Sequence, residues 1–347
     1  MYHNKLLLGL ILLIALPSTI YVTILQANYI FGQSGKEQKD SNNNFASYTD
    51  AYPTIKERLI GAYNPQALHL DWMEGSEQRQ AISSFVDQGF DRYFFPMTDF
   101  NSQDQITSTE KLLDAVDDNN INTTNRTLKT IIILLPPSEG GPTTNYDWEG
   151  WVSYFNELKS RHQSSFDGFA IDDLNWISDR NDTKFKRNID FMQYSKFAEA
   201  LAKKDTGVNF YPVVYFEGWG TDVVVKEYAK YAKSIIVGST KYYNISKLEN
   251  NLSEYKKMFN NKPIEYVVYP LAISWYRNHG YGPPSDRLVM ATLSIATRMA
   301  DGIIVLNKID NHVIQDYLRH SKDTSYLQAL HTMEELQIAN ERQMHMS

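Results

Sequence analysis

From residue 57 onward the chain repeats one pattern eight times: a short β-rich apolar run, a turn, then a segment with helical periodicity. The runs occupy 58–63, 92–96, 130–135, 168–172, 209–215, 234–237, 264–269 and 302–306. Helical periodicity marks 76–88, 107–119, 147–162, 187–204, 221–232, 246–259, 285–299 and 310–319. Runs this apolar are buried on both faces, and helical crossovers make such strands parallel. Eight alternations predict a closed (β/α)8 TIM barrel over 57–320. An open doubly wound sheet is the rival. It normally carries a glycine-rich phosphate turn after its first strand, and the sequence there, GAYNP, is not one. A further amphipathic segment within 321–347 is expected to pack as a C-terminal helix on the barrel.

Local signals support the alternation. Thr107 with Glu110 and Ser246 with Glu249 have the spacing of capping boxes at helix starts. Gly89-Phe90-Asp91, Phe166-Asp167-Gly168 and Ala300-Asp301-Gly302 place Gly and Asp just after a helix. Gly207 precedes the fifth run in the same way. A left-handed cap or tight turn is expected at each.

The first 31 residues belong to another class. No charge occurs between Lys5 and Lys36, and 6–31 is long enough for the roughly 20 residues of a membrane helix. An uncleaved transmembrane signal anchor is the favoured reading, and a cleaved signal peptide the alternative. His3 and Lys5 ahead of the span favour an inside N-terminus and an outward-facing body at the cell membrane. Residues 32–56 are polar and rich in Ser, Asn and Gln, as a tether is. Asn-x-Ser/Thr sequons at Asn122, Asn125, Asn181, Asn244 and Asn251 accord with an extracellular glycoprotein.

Composition narrows the chemistry. With 34 basic against 41 acidic residues and no basic stripe, the chain lacks the footprint of a nucleic-acid binder. The absence of cysteine excludes disulfides, thiol catalysis and thiolate zinc sites. His69, His279 and His312 have no metal-ligand spacing, and neither metal nor cofactor is expected.

In a (β/α)8 barrel the chemistry sits at the C-terminal strand ends. Three runs end there in carboxylates: Asp99, the pair Asp172 and Asp173, and Glu217. Four of the six tryptophans, Trp72, Trp176, Trp219 and Trp275, fall in post-strand loops. Flat aromatics at an acidic mouth suit a carbohydrate, whose C–H faces stack on them. Alternation points Ala170 and Asp172 into the barrel, and likewise Asn209, Tyr211, Val213, Tyr215 and Glu217. Asp172 and Glu217 then share one cavity from adjacent strands, with Asp173 orienting either or replacing one. Two such carboxyls divide the work of acid and of nucleophile or base when their environments differ. Their separation would decide the outcome, about 5 Å for retention and about 6.5–9.5 Å for inversion. Asp99, Tyr215, Trp176, Trp219, Tyr269, Trp275 and Trp72 are the expected substrate-binding residues. Arg277 and Lys308 are alternative anion contacts at the same mouth.

The segment Phe166-Asp167-Gly168-Phe169-Ala170-Ile171-Asp172-Asp173-Leu174 resembles the strand-four signature of chitinase-like (family 18) glycoside hydrolases, Asp-Gly-x-Asp-x-Asp-x-Glu. Asp167, Gly168 and Asp172 match. Ala170 replaces the first inner Asp, and Leu174 replaces the family's catalytic Glu. The resemblance implies membership of the wider (β/α)8 glycoside hydrolase superfamily, with a glycan as substrate and no chitinase mechanism. Three functions remain open. One is a membrane-anchored glycosidase using Asp172 or Asp173 with Glu217. The second is a catalytically inactive, lectin-like barrel. The third is a barrel enzyme acting on a phosphorylated metabolite, for which Gly280-Tyr281-Gly282 is the one candidate phosphate turn.

Overall fold

The computed structural model describes residues 59–63, 76–122, 127–134, 148–172, 174, 207–216, 221–239, 245–270, 283–307 and 309–344. Eight parallel strands close into a barrel in chain order: β1 (Leu59–Tyr63), β2 (Arg92–Met97), β3 (Lys129–Leu134), β4 (Phe166–Ile171), β5 (Asn209–Tyr215), β6 (Ile235–Gly238), β7 (Ile264–Val268) and β8 (Gly302–Leu306). The ring is sealed where β1 pairs with β8, from Leu59 opposite Gly302 to Tyr63 opposite Leu306. The described helices are α1 (Ser76–Asp87), α2 (Gln103–Asn122), α3 (Trp148–Arg161), α4 (Thr221–Val223), α5 (Ile245–Met258), α6 (Asp286–Met299), α7 (His312–His320) and α8 (Thr324–Met344). A π turn, Val224–Tyr228, and a 3-10 turn, Ala229–Tyr231, extend α4. The expected helix at 187–204, the membrane span and the tether lie outside the described residues. Among the described residues no helix is long and apolar enough to cross a membrane.

The outward faces of the strands pack on the helices through aromatic rings. Phe169 of β4 stacks on Phe155 of α3 at 4.6 Å and lies 5.2 Å from Phe210 of β5. Tyr93 of β2 meets Phe85 of α1 edge-on at 5.8 Å. Burying such rings contributes roughly 2–3 kcal/mol each.

The inward faces at the N-terminal end hold a polar plug. Arg92 of β2 donates to Glu265 of β7 at 2.5 Å, both buried, and Ser234 donates to the same carboxylate oxygen. β8 and β1 lie between these two strands, and each carries a glycine there. A Cβ on Gly302 would stand 3.0 Å from Glu265 Cγ. One on Gly61 would stand 2.8 Å from the Phe94 ring and 3.4 Å from Arg92 Cβ. The arginine also lies 5.4 Å from the centroid of the Tyr211 ring. Burial opposes its charge, but Glu265, Tyr211 and Asp167 outweigh that and raise its pKa.

Asp167 completes the plug through a bulge. Thr130 of β3 pairs with Phe166, but Ile131 pairs with Gly168, so Asp167 is skipped and turns inward. There it accepts the Tyr211 hydroxyl and the Asn209 amide. Burial, then the Asp167 charge, push the Tyr211 hydroxyl far above its ordinary pKa.

Several local expectations are corrected. Gly89 and Gly207 do take positive φ, 110° and 71°. Gly168 and Gly302 do not, and their role is space: a Cβ on Gly168 would lie 2.0 Å from the Asn209 carbonyl oxygen. Asp91 and Asp301 accept amides near the starts of neighbouring strands, from Ile60 and Ile264. Thr107 is no N-cap, because α2 starts at Gln103 and the Thr107 hydroxyl donates to the Gln103 carbonyl. Its supposed partner Glu110 instead accepts Arg161 of α3 and contacts His162 just beyond that helix. Ser246 is no N-cap either. The amides of Ile245 and Ser246 donate to Glu341 of α8, so α5 is capped by the C-terminal helix. Glu334 of α8 accepts Ser294 and Arg298 of α6.

Removing one partner of a buried pair strands the other charge. Arg92→Leu should therefore lower unfolding free energy by about 3–5 kcal/mol in urea titrations. Removing Arg79, exposed and 3.9 Å from exposed Asp118, should change it by less than about 0.5 kcal/mol.

Candidate active site at the C-terminal mouth

At the opposite end of the barrel the inward positions are Asp172, Tyr215, Gly238, Tyr269 and Tyr63. Asp172 follows β4, and its amide donates to the Leu134 carbonyl of β3 at 3.0 Å, which continues the sheet pairing by one residue. Alternation then points its side chain inward. The residue is 4% exposed, and its carboxylate accepts the Tyr215 hydroxyl at 3.3 Å. Tyr215 is held from behind, because its carbonyl accepts the Tyr255 hydroxyl of α5 at 3.0 Å.

Gly238 is the space on which this arrangement depends. It pairs with Tyr215 in the β5–β6 ladder. A Cβ there would stand 2.7 Å from both Tyr215 Cε1 and Tyr269 Oη. Tyr215 of β5 and Tyr269 just after β7 thus reach toward one another over a position on β6 that carries no side chain. Tyr269 is buried and Tyr215 half-buried, so the second ring still faces the mouth. Tyr63 ends β1 on the inward parity of Gly61 and is also half-buried. A tyrosine ending a short apolar run carries no chemical signature of its own, so the sequence does not mark it.

The site residues expected from the sequence divide into three groups. Asp172, Tyr215 and Tyr269 come together as described. Asp99 stands at the end of β2, where its Oδ1 accepts the Asn101 amide at 2.8 Å, a turn that leads into α2. Asp173, Glu217, Trp72, Trp176, Trp219 and Trp275 lie outside the described residues, as do Arg277, Lys308 and Gly280 to Gly282. His312 is exposed and pairs with Asp286 at 3.2 Å. Among the described residues no group of three or more His, Asp or Glu could hold a metal ion. Leu174, where the resembling family carries its acid, has no exposed surface.

No protein-family model and no curated protein matches the chain. Solved structures do. A chitinase from Chromobacterium violaceum is 9% identical, with 77% of this chain and 99% of that one covered and a TM-score of 0.48. A group IV chitinase from Ostrinia furnacalis is 13% identical over 80% of this chain and all of the other, also at 0.48. Tryptophan synthase from M. tuberculosis is 12% identical over 81% and 93%, at 0.41. Chitinases are thus among the structures this barrel is similar to, alongside an enzyme of unrelated chemistry.

Overfilling a packed site forces rings out of place at a cost of about 1–3 kcal/mol. Gly238→Ala should lower stability by that amount in urea titrations and change the tyrosine near-UV circular dichroism. Gly207→Ala should cost about 1 kcal/mol through its positive φ alone and leave the tyrosine signal unchanged, since no atom lies within 4 Å of its added Cβ.

Proposed function

We propose that the chain is a membrane-anchored, extracytoplasmic carbohydrate-active enzyme that hydrolyses glycosidic bonds at the C-terminal mouth of its barrel. The observation that carries the reading is Asp172: a residue 4% exposed at a strand end, its carboxylate accepting the Tyr215 hydroxyl among further inward tyrosines. A buried carboxylate at a strand-end mouth, with one donor aimed at it, is the kind of group that active sites hold. Glu217 follows two residues after Tyr215 in the sequence. Accepting the phenol suits Asp172 to the ionised role, nucleophile or base, and leaves the acid to Glu217. Asp173 supports one of them. Tyr215 and Tyr269 line the floor for a pyranose, and the loop tryptophans Trp72, Trp176, Trp219 and Trp275 supply stacking faces around it. The anchoring rests on the uncharged span 6–31, and the outward orientation on Lys5 before it.

One observation favours a second reading. Leu174 is fully buried, so the position that supplies the acid in chitinase-like enzymes carries an apolar core residue. A barrel without an acid still binds sugar, and a lectin-like module is the alternative.

The two readings separate in one experiment. The full-length protein is assayed against a panel of aryl glycosides and on a glycan array, beside Asp172→Asn and Glu217→Gln. Glycosidase action predicts turnover that falls by about 10²–10⁴-fold in either amide variant. Unchanged turnover in both defeats the assignment of these residues. Glycan binding with no product release by the wild-type protein establishes the lectin-like alternative.

A further inference from the structure

Five sequons are present, and the barrel treats the two described ones very differently. Asn122 is the last residue of α2 and is exposed. Its amide donates only to the Asp118 carbonyl of its own helix, an exposed contact of 2.7 Å. Helix ends fray, and an exposed hydrogen bond contributes little to holding them. Two residues earlier, buried Asn120 accepts the Leu128 amide and donates to the Leu128 and Ser164 carbonyls. That clasp fixes both ends of the connection to β3, so loosening Asn122 need not disturb the sheet.

Asn251 is placed the opposite way. It is the seventh residue of α5, followed by Leu252 with no exposed surface and, four residues on, by buried Tyr255. Presenting Asn251, Leu252 and Ser253 as an extended acceptor would unwind the middle of α5 and pull Leu252 from the core. Removing a leucine from a core costs about 2–5 kcal/mol.

We infer that Asn122 is an N-glycosylation site and that Asn251 is not, an inference that rests on the extracytoplasmic orientation proposed above. The reaction is a group transfer. Nδ2 of Asn122 attacks the anomeric carbon of a lipid-diphosphate-linked oligosaccharide, forming the C1–N bond. The C1–O bond to the diphosphate breaks, the lipid diphosphate leaves with the electron pair, and the amide proton passes to the transferase's base. Two features of the surroundings suit a glycan. Ile121 beside it is 78% exposed, the most exposed large apolar side chain among the described residues, and the first sugars would cover it. Asn122 ends the helix that leads into the start of β3, so it lies toward the N-terminal end of the barrel, opposite Asp172, and the glycan leaves the mouth open.

The test is cell-free translation of the full chain with microsomes that hold transferase and lipid-linked oligosaccharide. The products are treated with endoglycosidase and, separately, with external protease. The expected result is a protease-protected body whose gel mobility loses one glycan step in both Asn122→Gln and Thr124→Ala, while Asn251→Gln matches the wild type. Thr124→Ala leaves Asn122 in place, so a loss common to both variants reports the sequon and not the fold. A protected body without a glycan on Asn122, or with one on Asn251, overturns the inference while the outward orientation stands. A body open to external protease overturns the orientation and the glycan together.

Discussion

The bridge between Arg92 and Glu265 spans two intervening strands inside a closed ring, and the rest of the barrel is arranged around that reach. An ion pair removed from water gives back little unless its remaining donors and acceptors are satisfied. Here Ser234 donates to Glu265, and the Tyr211 ring lies near the guanidinium. Asp167 then takes the Tyr211 hydroxyl. None of this fits unless the strands between give up their side chains, and Gly61 and Gly302 do so. The glycines of β1 and β8 are therefore volume decisions, not conformational ones. The same device recurs at the other end of the ring, where Gly238 gives its space to Tyr215 and Tyr269. One end uses the space to satisfy charge internally. The other uses it to bring aromatic rings beside a carboxylate.

Asp167 and Asp172 show the contrast within a single strand. Four residues separate them, and both point inward. The bulge turns Asp167 to the N-terminal floor, where a phenol and an amide saturate it. Asp172 sits one residue past the end of β4, in the layer that opens into the loops. Charge on a barrel floor serves stability, while a carboxylate at the strand ends is open to chemistry. Position along the strand, more than residue type, thus sets the surroundings of the two apart.

The eight runs and the closed ring were legible because a parallel strand buried on both faces leaves an unmistakable apolar mark. So was the inward parity of Asp172 and Tyr215, which follows from strict alternation. What alternation cannot see is where it breaks. A bulge at Asp167 shifts parity by one, and no local pattern announces it. Nor can spacing alone identify a cap. Thr107 and Ser246 have the right partners three residues on, yet α2 begins earlier, and α5 takes its cap from Glu341, 95 residues away from Ser246. Tyr63 is the corresponding omission at the mouth, visible only once β1 is set beside β8.

These placements also recast the strand-four resemblance. Of its three matching residues, Gly168 is required by the close approach of the Asn209 carbonyl, and Asp167 belongs to the floor. Both follow from building this barrel and carry no sugar chemistry. Asp172 is the one match at the mouth. The two departures, Ala170 and Leu174, are without exposed surface and sit within the apolar packing. An acid at 174 would have to be desolvated among these side chains, which would favour its neutral form and cost several kcal/mol if charged. A barrel packed in this way cannot regain the family's arrangement through Leu174→Glu alone. A second carboxyl for such chemistry would have to come from another strand end, and β4 is flanked at the mouth by β3 and β5.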